Sequence, residues 1–593
     1  MPIDADVATL SLTSRGIRLG GIRPLIDGKV ATDAPAEFDG DAVRWQLEQG
    51  VAILEIERGP IVRLRFRVEG LRADRPIASL GLRFSRVEGV RSYLRNGYQS
   101  WDGSFFVEPG TPAGDGPPAK APTLGFAMTA LLPHDSPGAV VLGFSRHDRF
   151  QSRFRFGGSA SEPMMDVETL RDRVPHNGTV EAEPLVLLED DDVEGALRAW
   201  SRIIAQASPL PPRVPRRRVT GWCSWYSLYA AIDERSILEH LTAAAKFRDQ
   251  RNVPLDVFQI DDGFAPEMGD WLHVRPQFPR GMKPLIEDIA AAGFTPGLWI
   301  APFLVGNRSR LFTEHPDWVV QSISGGPLVH MKFYGEFRWH KRSEEYYVLD
   351  VTHPDAAVYI REVFRIWRHD WGARYFKTDF MNAGMEYGPK EARWHQAGLS
   401  RVAIWRRMAA IIREAIGDAL WLGCGCPLWA SVGLIDAARI GRDIGVSWRG
   451  DYSAESLLRD QLTRNHASGI LWQADPDCVL LRERFHELCE EEVRSLLLFA
   501  GLSGGVLMTS DKLDEIPIER ADLFAQLLSL HDIRCDFPEL GNANGGLILQ
   551  RVTRADGTSL LNLCNPTDAP IEWDNEDGTI EIAPHASRVI GSK

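Results

Sequence analysis

Tyr375-Phe376-Lys377-Thr378-Asp379-Phe380 reads as a short buried strand whose lysine and aspartate, two residues apart, share one face. An aspartate at a strand's C-terminal end beside a fixed cation is kept ionised and aimed, as a nucleophile requires. A second carboxylate, Asp443, closes another strand-like run, with Arg439 four residues before it. Two carboxylates across one mouth are what cleavage of a glycosidic bond needs: one attacks the anomeric carbon and the other protonates the leaving oxygen. Lys377 and Arg439 supply positive charge to orient the carboxylates or to grip hydroxyls. Asp261 and Asp262, adjacent at the end of a third run, can accept hydrogen bonds from vicinal hydroxyls. Trp222, Trp225 and Trp299 offer flat faces for the C–H side of a pyranose. Asp475 and Asp477, in a D-P-D sequence, read as a turn after a strand.

The elements that must hold these residues recur in order. Eight apolar or β-branched runs, beginning near Thr220, Val257, Gly297, Tyr375, Leu420, Ala438, Ile470 and Gly505, each end in polar residues and are separated by helix-sized segments. This alternation predicts a (β/α)8 barrel over 219–515, which gathers the strand C-termini at one mouth. No G-x-G-x-x-G turn supports a doubly wound sheet instead. Before the barrel, alternating segments such as Val51–Ile56, Val62–Val68 and Ala139–Phe144, punctuated by glycine and proline, predict a β-sandwich over 1–207. The proline- and arginine-rich stretch 208–218 reads as an extended, solvated linker. A helix from Ile518 to Ile533 and strands from Gly546 onward predict a small β domain within 516–593. The fold class is therefore multidomain α/β and β.

Composition bounds the function. A chain of 593 residues is too long for one core. With 67 basic and 81 acidic residues the net charge of −14 disfavours nucleic acid and anionic membranes and suits a neutral substrate. No apolar run reaches membrane-span length, the N-terminus lacks the features of a signal peptide, and the 7 cysteines form no disulfide framework. The expectation is a cytoplasmic protein. The Cys424-x-Cys426 pair lacks a complementary cluster of ligands, so no metal is expected.

Eight ordered segments resemble the melibiase-type α-galactosidases of glycoside hydrolase family 36 (clan D), in their short prokaryotic form. They are Gly221-Trp222-Cys223-Ser224-Trp225-Tyr226, Phe258-Gln259-Ile260-Asp261-Asp262, Trp299-Ile300-Ala301-Pro302-Phe303, Glu314-His315-Pro316-Asp317-Trp318, the segment ending at Asp379-Phe380, Gly423-Cys424-Gly425-Cys426-Pro427-Leu428, Arg439-Ile440-Gly441-Arg442-Asp443, and Asp475-Pro476-Asp477-Cys478. The resemblance covers about half the chain. It implies a retaining, cofactor-free enzyme acting on neutral α-galactosyl oligosaccharides, with Asp379 as nucleophile and Asp443 as acid/base. It places Asp261, Asp262, Trp299, Lys377 and Arg439 in a galactose pocket. It also implies that the loop with Cys424 faces the sugar's C2 substituent, and that Trp101, in Asn96-Gly97-Tyr98-Gln99-Ser100-Trp101, caps the site. Cys426 stands where the short form carries serine. Related α-N-acetylgalactosaminidase, β-L-arabinopyranosidase and galactosyl-transfer activities are the near alternatives, and a noncatalytic carbohydrate-binding protein is the distant one. The stretch 321–347 is a candidate for an outer subsite or an oligomer contact.

Overall fold

The computed structural model describes residues 3–114, 121–333, 343–450, 453–542, 546–575 and 578–592. Of the stretch 321–347, residues 334–342 lie outside the described residues.

The site is positioned by a parallel sheet. Its strands are β1 (Thr220–Cys223), β2 (Val257–Ile260), β3 (Thr295–Ile300), β4 (Tyr375–Thr378), β5 (Leu420–Gly423), β6 (Ala437–Arg439), β7 (Gln473–Asp475) and β8 (Leu507–Thr509). They lie in the order β7-β6-β5-β4-β3-β2-β1-β8. Beyond β8 the two residues Cys478–Val479 pair with it, and only Pro476 and Asp477 separate them from β7. Both edges of the sheet are thus one interrupted seventh strand, the closure of a TIM-like barrel.

Strand parity sorts the side chains. Cys223, Gln259, Gly297 and Tyr375 stand opposite one another in register and face the interior. Gly297 is needed there, because a Cβ would come within 2.9 Å of Tyr375 Cδ1 and 3.1 Å of Gln259 Cβ. Trp222 and Phe258, one residue off this layer, point outward and stack at 4.3 Å under the helix Glu234–Arg251, whose His240 covers Trp222. Helices such as Met282–Ala291, Pro354–Arg365 and Arg401–Ile416 bury their apolar stripes against the outside of the sheet. One expected helix is replaced. Between β5 and β6 the chain forms an irregular loop with a single 3-10 turn, Trp429–Ser431.

Ahead of the barrel, an eight-stranded and a ten-stranded antiparallel sheet face each other across a common apolar core that includes Ile22, Phe84, Phe154, Leu54, Leu64 and Leu187. The segment 208–218 is docked at two arginines, while Pro209, Leu210, Pro211, Arg216 and Arg217 stay exposed. Arg218 donates to the carbonyls of Gly505, Leu527 and Ala500, and Arg213 pairs with Asp436 at 3.1 Å. After the barrel the helix is shorter than expected, Ile518–Leu528, because Leu530–Ile533 turns into the strand Arg534–Asp536 of a four-stranded antiparallel sheet. No helix among the described residues is long and apolar enough to cross a membrane.

Candidate active site

Asp379 follows β4 directly, and its amide donates to Ile300 O at 2.8 Å, which continues the sheet by one residue. One carboxylate oxygen accepts the Trp299 indole N–H at 3.1 Å and the other accepts the Phe380 amide at 2.8 Å. Phe380 sits at φ +52, a left-handed conformation that is strained for a bulky residue and turns the chain away from the strand. Burial pushes the pKa of Asp379 above the ordinary carboxylate value; Lys377 opposes the rise and the Asp443 charge adds to it.

Lys377 does face the interior with Asp379, but its ion-pair partner is another residue. Its ammonium lies 2.9 Å from Asp261 Oδ2. That same oxygen accepts the Gln259 side-chain amide at 2.6 Å and the Cys223 thiol at 3.4 Å, while Oδ1 accepts the Asp262 amide at 2.9 Å. Asp261 therefore anchors the lysine, with one oxygen fully engaged, instead of presenting both oxygens to a ligand. Asp262 is buried beside it. Gln259 and Cys223 were missed in the sequence, although their inward parity at strand ends was a usable signal.

Asp443 does not end β6, which stops at Arg439. It lies four residues farther on, in an irregular loop, with its side chain 42% exposed. Arg439, wholly buried, reaches back to it with Nη1 2.7 Å from Asp443 Oδ1. The same guanidinium places Nη2 2.6 Å from Asp477 Oδ1 and Nε 3.5 Å from Asp475 Oδ2. Besides turning the chain, the D-P-D segment thus grips the arginine that holds Asp443. Asp477 also accepts the Ile444 amide, next to Asp443, at 2.8 Å, and the Tyr226 hydroxyl. It adopts φ +85, and burial pushes its pKa up to about 6 against the pull of Arg439. Replacing Asp477 by asparagine is expected to lower kcat/KM on the order of 10- to 100-fold, or about 1.4–2.7 kcal/mol. The loss should be greater for poor than for good leaving groups, since the effect travels through Asp443. A thermal melt run alongside separates this from unfolding.

The loop carrying Trp101 is stitched to the irregular β5–β6 loop. Ser100 N donates to Cys426 O at 3.2 Å, Cys426 N to Ser100 Oγ at 3.1 Å, and Leu428 N to Tyr98 O at 2.9 Å. Buried Arg464, which no sequence motif revealed, donates to the carbonyls of Ser100, Gln99 and Ile440 and so ties this loop to the end of β6. Trp101 meets Phe380 edge-on at 5.0 Å, and its carbonyl accepts from Arg442 at 3.3 Å. Gly425, at φ +52, lets the indole close in, because a Cβ there would lie 2.8 Å from Trp101 Cη2. Trp101 therefore touches residues adjoining both carboxylates, its ring meeting Phe380 beside Asp379 and its carbonyl meeting Arg442 beside Asp443. Cutting Trp101 to alanine is expected to raise KM about tenfold with a smaller change in kcat, the pattern of a lost binding face. Steady-state kinetics on an aryl glycoside measures both.

The remaining expectations divide. Cys424 is buried near Asp379 and Arg439, and burial with the Asp379 charge holds its thiol well above the ordinary value, so it is a neutral wall. Cys426 faces away, under Gly423 and Ile435: a Cβ on Gly423 would lie 2.9 Å from its sulfur and 3.3 Å from Ile435 Cδ1. Trp299 presents its N–H to Asp379 rather than acting only as a flat face. Trp222 is not in the site; it is fully buried in the helix layer with its indole bonded to Asp511 O at 3.0 Å. Trp225 opens the short helix Trp225–Leu228 and packs edge-on against Tyr229 at 5.3 Å.

Residues 221–411 match the Melibiase family model. A probable alpha-galactosidase C of Aspergillus flavus is 25% identical over 219 residues, covering 34% of this chain and 26% of that protein. An alpha-galactosidase of Escherichia coli is 26% identical over 208 residues, with the same shares. The chain thus matches only about a quarter of the length of these curated relatives. Among solved structures, the alpha-galactosidase TtGalA of Thermus thermophilus, in complex with p-nitrophenyl alpha-D-galactopyranoside, superposes with a TM-score of 0.64. It is 27% identical, and the match covers 83% of this chain and 95% of that one. The GH36 alpha-galactosidase AgaA of Geobacillus stearothermophilus shares the fold, at 13% identity, a TM-score of 0.61, and coverage of 98% and 87%.

Proposed function

We propose that this chain, whose residues 221–411 match the Melibiase family model, is a retaining α-galactosidase, releasing terminal α-linked galactose from oligosaccharides. The observation that carries the reading is the pair of carboxylates held at one mouth by different means: Asp379 by Trp299 and the Phe380 amide, Asp443 by Arg439. Asp379 attacks the anomeric carbon and forms a glycosyl ester while Asp443 gives its proton to the departing oxygen. Water then attacks the same carbon, Asp443 takes its proton, and the ester bond to Asp379 breaks. Two inversions leave the anomeric configuration unchanged.

Galactose enters between Trp101 and Trp299, with Asp262 and the free face of Asp261 Oδ1 toward its hydroxyls. A site built to bond a hydroxyl rejects the epimer that misplaces it. TtGalA has been captured with stachyose, and a neutral galactosyl oligosaccharide suits a protein of net charge −14. In this reading the sandwich contributes the Trp101 loop and the barrel the chemistry. Hydrolysis of p-nitrophenyl α-galactoside, compared with the α-glucoside and the α-N-acetylgalactosaminide, tests the assignment. The galactoside should be preferred, with α-galactose the first product seen by proton NMR. Preference for either competitor, or β-galactose appearing first, would overturn it.

A further inference from the structure

The loop that carries Asp443 is fastened at its far end to the sheet that follows the barrel. It runs irregularly from the end of β6 through residues 441–450. Arg439 and Asp477 hold its first half, at the Asp443 carboxylate and the Ile444 amide. Its second half ends in Trp448, a buried side chain whose ring stacks on His585 at 4.5 Å and whose indole N–H donates to Pro566 O at 3.1 Å. Arg449 follows, 2.7 Å from Asp568 Oδ2. Pro566 and Asp568 lie just after the strand Ser559–Cys564, and His585 just before the strand Ser587–Ser592, neighbours in that four-stranded sheet.

The receiving surface is fixed by bonds of its own. Buried Asn565 donates to the carbonyls of Ala569, Ile582 and Ala583 at 2.8, 3.0 and 3.1 Å, which ties the turn of Asp568 to the turn of His585. His585 adopts φ +57, a left-handed conformation that costs stability in a residue with a Cβ. It is held there from two sides. Nδ1 lies 2.6 Å from Glu492 Oε1 and Nε2 lies 2.9 Å from Asp568 Oδ1, while its carbonyl accepts the Ser495 hydroxyl at 2.7 Å. Glu492 and Ser495 belong to the helix Glu490–Leu502, which precedes β8. A ring gripped in this way presents a rigid plate to the indole of Trp448.

The anchor reaches Asp443 through a closed circuit of bonds. The carbonyls of Ser447 and Trp448 accept the amides of Ala454 and Glu455 at 3.1 and 3.0 Å, in the first turn of the helix Ala454–Arg464. At the other end of that helix Arg464 donates to Ile440 O. Asp443 therefore sits on a span whose two ends are pinned to one helix, and Trp448 and Arg449 fasten that span to the sheet. We infer that the sheet after the barrel positions the acid/base, with Trp448 and His585 as positioning residues that keep the Asp443 carboxyl aimed at the leaving oxygen. The inference rests on the α-galactosidase reading, which gives Asp443 its role.

The test uses the full chain carrying Trp448→Ala, His585→Ala or Trp448→Phe. An acid held out of place matters most when the leaving group is poor. For methyl α-galactoside, kcat/KM should fall about tenfold in both alanine variants, while p-nitrophenyl α-galactoside stays within about twofold of the parent. Trp448→Phe keeps a ring over His585 and should recover most of the loss. Hydrogen-exchange mass spectrometry of the peptide that contains Asp443 should show faster exchange in the alanine variants and near-parental exchange in Trp448→Phe. Should Trp448→Ala fail to fold, His585→Ala decides, since it removes the plate and leaves the indole in place. Exchange does not depend on turnover, so a parent that hydrolyses neither galactoside would refute the α-galactosidase reading, and the anchorage would then stand or fall on exchange alone. Equal losses on both substrates, no loss on either, or exchange unchanged in the alanine variants would each sink the proposal.

Discussion

Replacing Asp379 by asparagine is expected to slow galactoside turnover on the order of 10^4-fold or more, with little change in thermal stability. The amide oxygen still accepts the Trp299 indole N–H while the bond from the Phe380 amide is lost, at about 1 kcal/mol, and the amide cannot attack carbon, so the loss in rate falls on the covalent step. A slow fluorinated galactoside inactivator should label the parent enzyme at Asp379, as read by peptide mass, and leave the variant unmarked. The pH profile follows from the same surroundings. Asp379 acts as an anion, and burial raises its pKa above the ordinary carboxylate value. Acid therefore removes the reactive form at a higher pH than it would for an exposed aspartate, and the acid limb of kcat/KM should lie correspondingly high. Asp477, pushed up to about 6, works in the same direction, because its ionised form grips Arg439. A label on another carboxylate would reassign the nucleophile.

The nucleophile's strand was legible because period-two geometry is local: Lys377 and Asp379 had to share a face wherever the strand lay. Which cation met which carboxylate was not legible. The partner of Lys377 is set by the neighbouring strand, and Asp261 Oδ2 reaches it first. Parity alone could have corrected the tryptophans. Trp222 and Trp225 are three apart and cannot lie on one strand face, and Cys223, bonded to Asp261, fixes Trp222 outward.

Other parts of the site depend on contacts no local pattern encodes. Asp475 and Asp477 look like an ordinary turn because proline and aspartate favour turns, and that is also true of their backbone. Their grip on Arg439 arises from closure of the barrel, which brings the interrupted seventh strand beside β6. Arg464 is likewise one arginine in a helix until the loop of Trp101 docks on it. Six of the eight strand runs hold closely, but Ile470–Trp472 is a turn before β7, and Asp443 hangs beyond β6. Apolar runs predict that a strand is present better than they predict where it stops, since the stop depends on which neighbour ceases to pair.

Replacing Asp443 by alanine is expected to cost unequally, according to the leaving group. A positioned acid contributes typically 10^2–10^4-fold, and most where the departing oxygen is a poor leaving group. Stachyose should therefore lose activity on the order of 10^3-fold or more. An aryl galactoside whose phenolate departs unaided should still form the ester on Asp379 and then stall, because no base remains to activate water. Rapid-quench kinetics should show a burst of phenol followed by slow turnover. Azide needs no general base, so adding it should restore turnover and release α-galactosyl azide, the product of attack on the β-linked ester from the opposite face. The variant also removes a negative charge that helps to raise the pKa of Asp379, so the acid limb of the burst step should move to lower pH than in the parent. Arg439 would meanwhile keep its bonds to Asp477 and Asp475, which leaves the mouth assembled and confines the change to the missing acid. Equal slowing of activated and unactivated substrates, together with no rescue by azide, would show that Asp443 is not the acid and that another group serves the leaving oxygen.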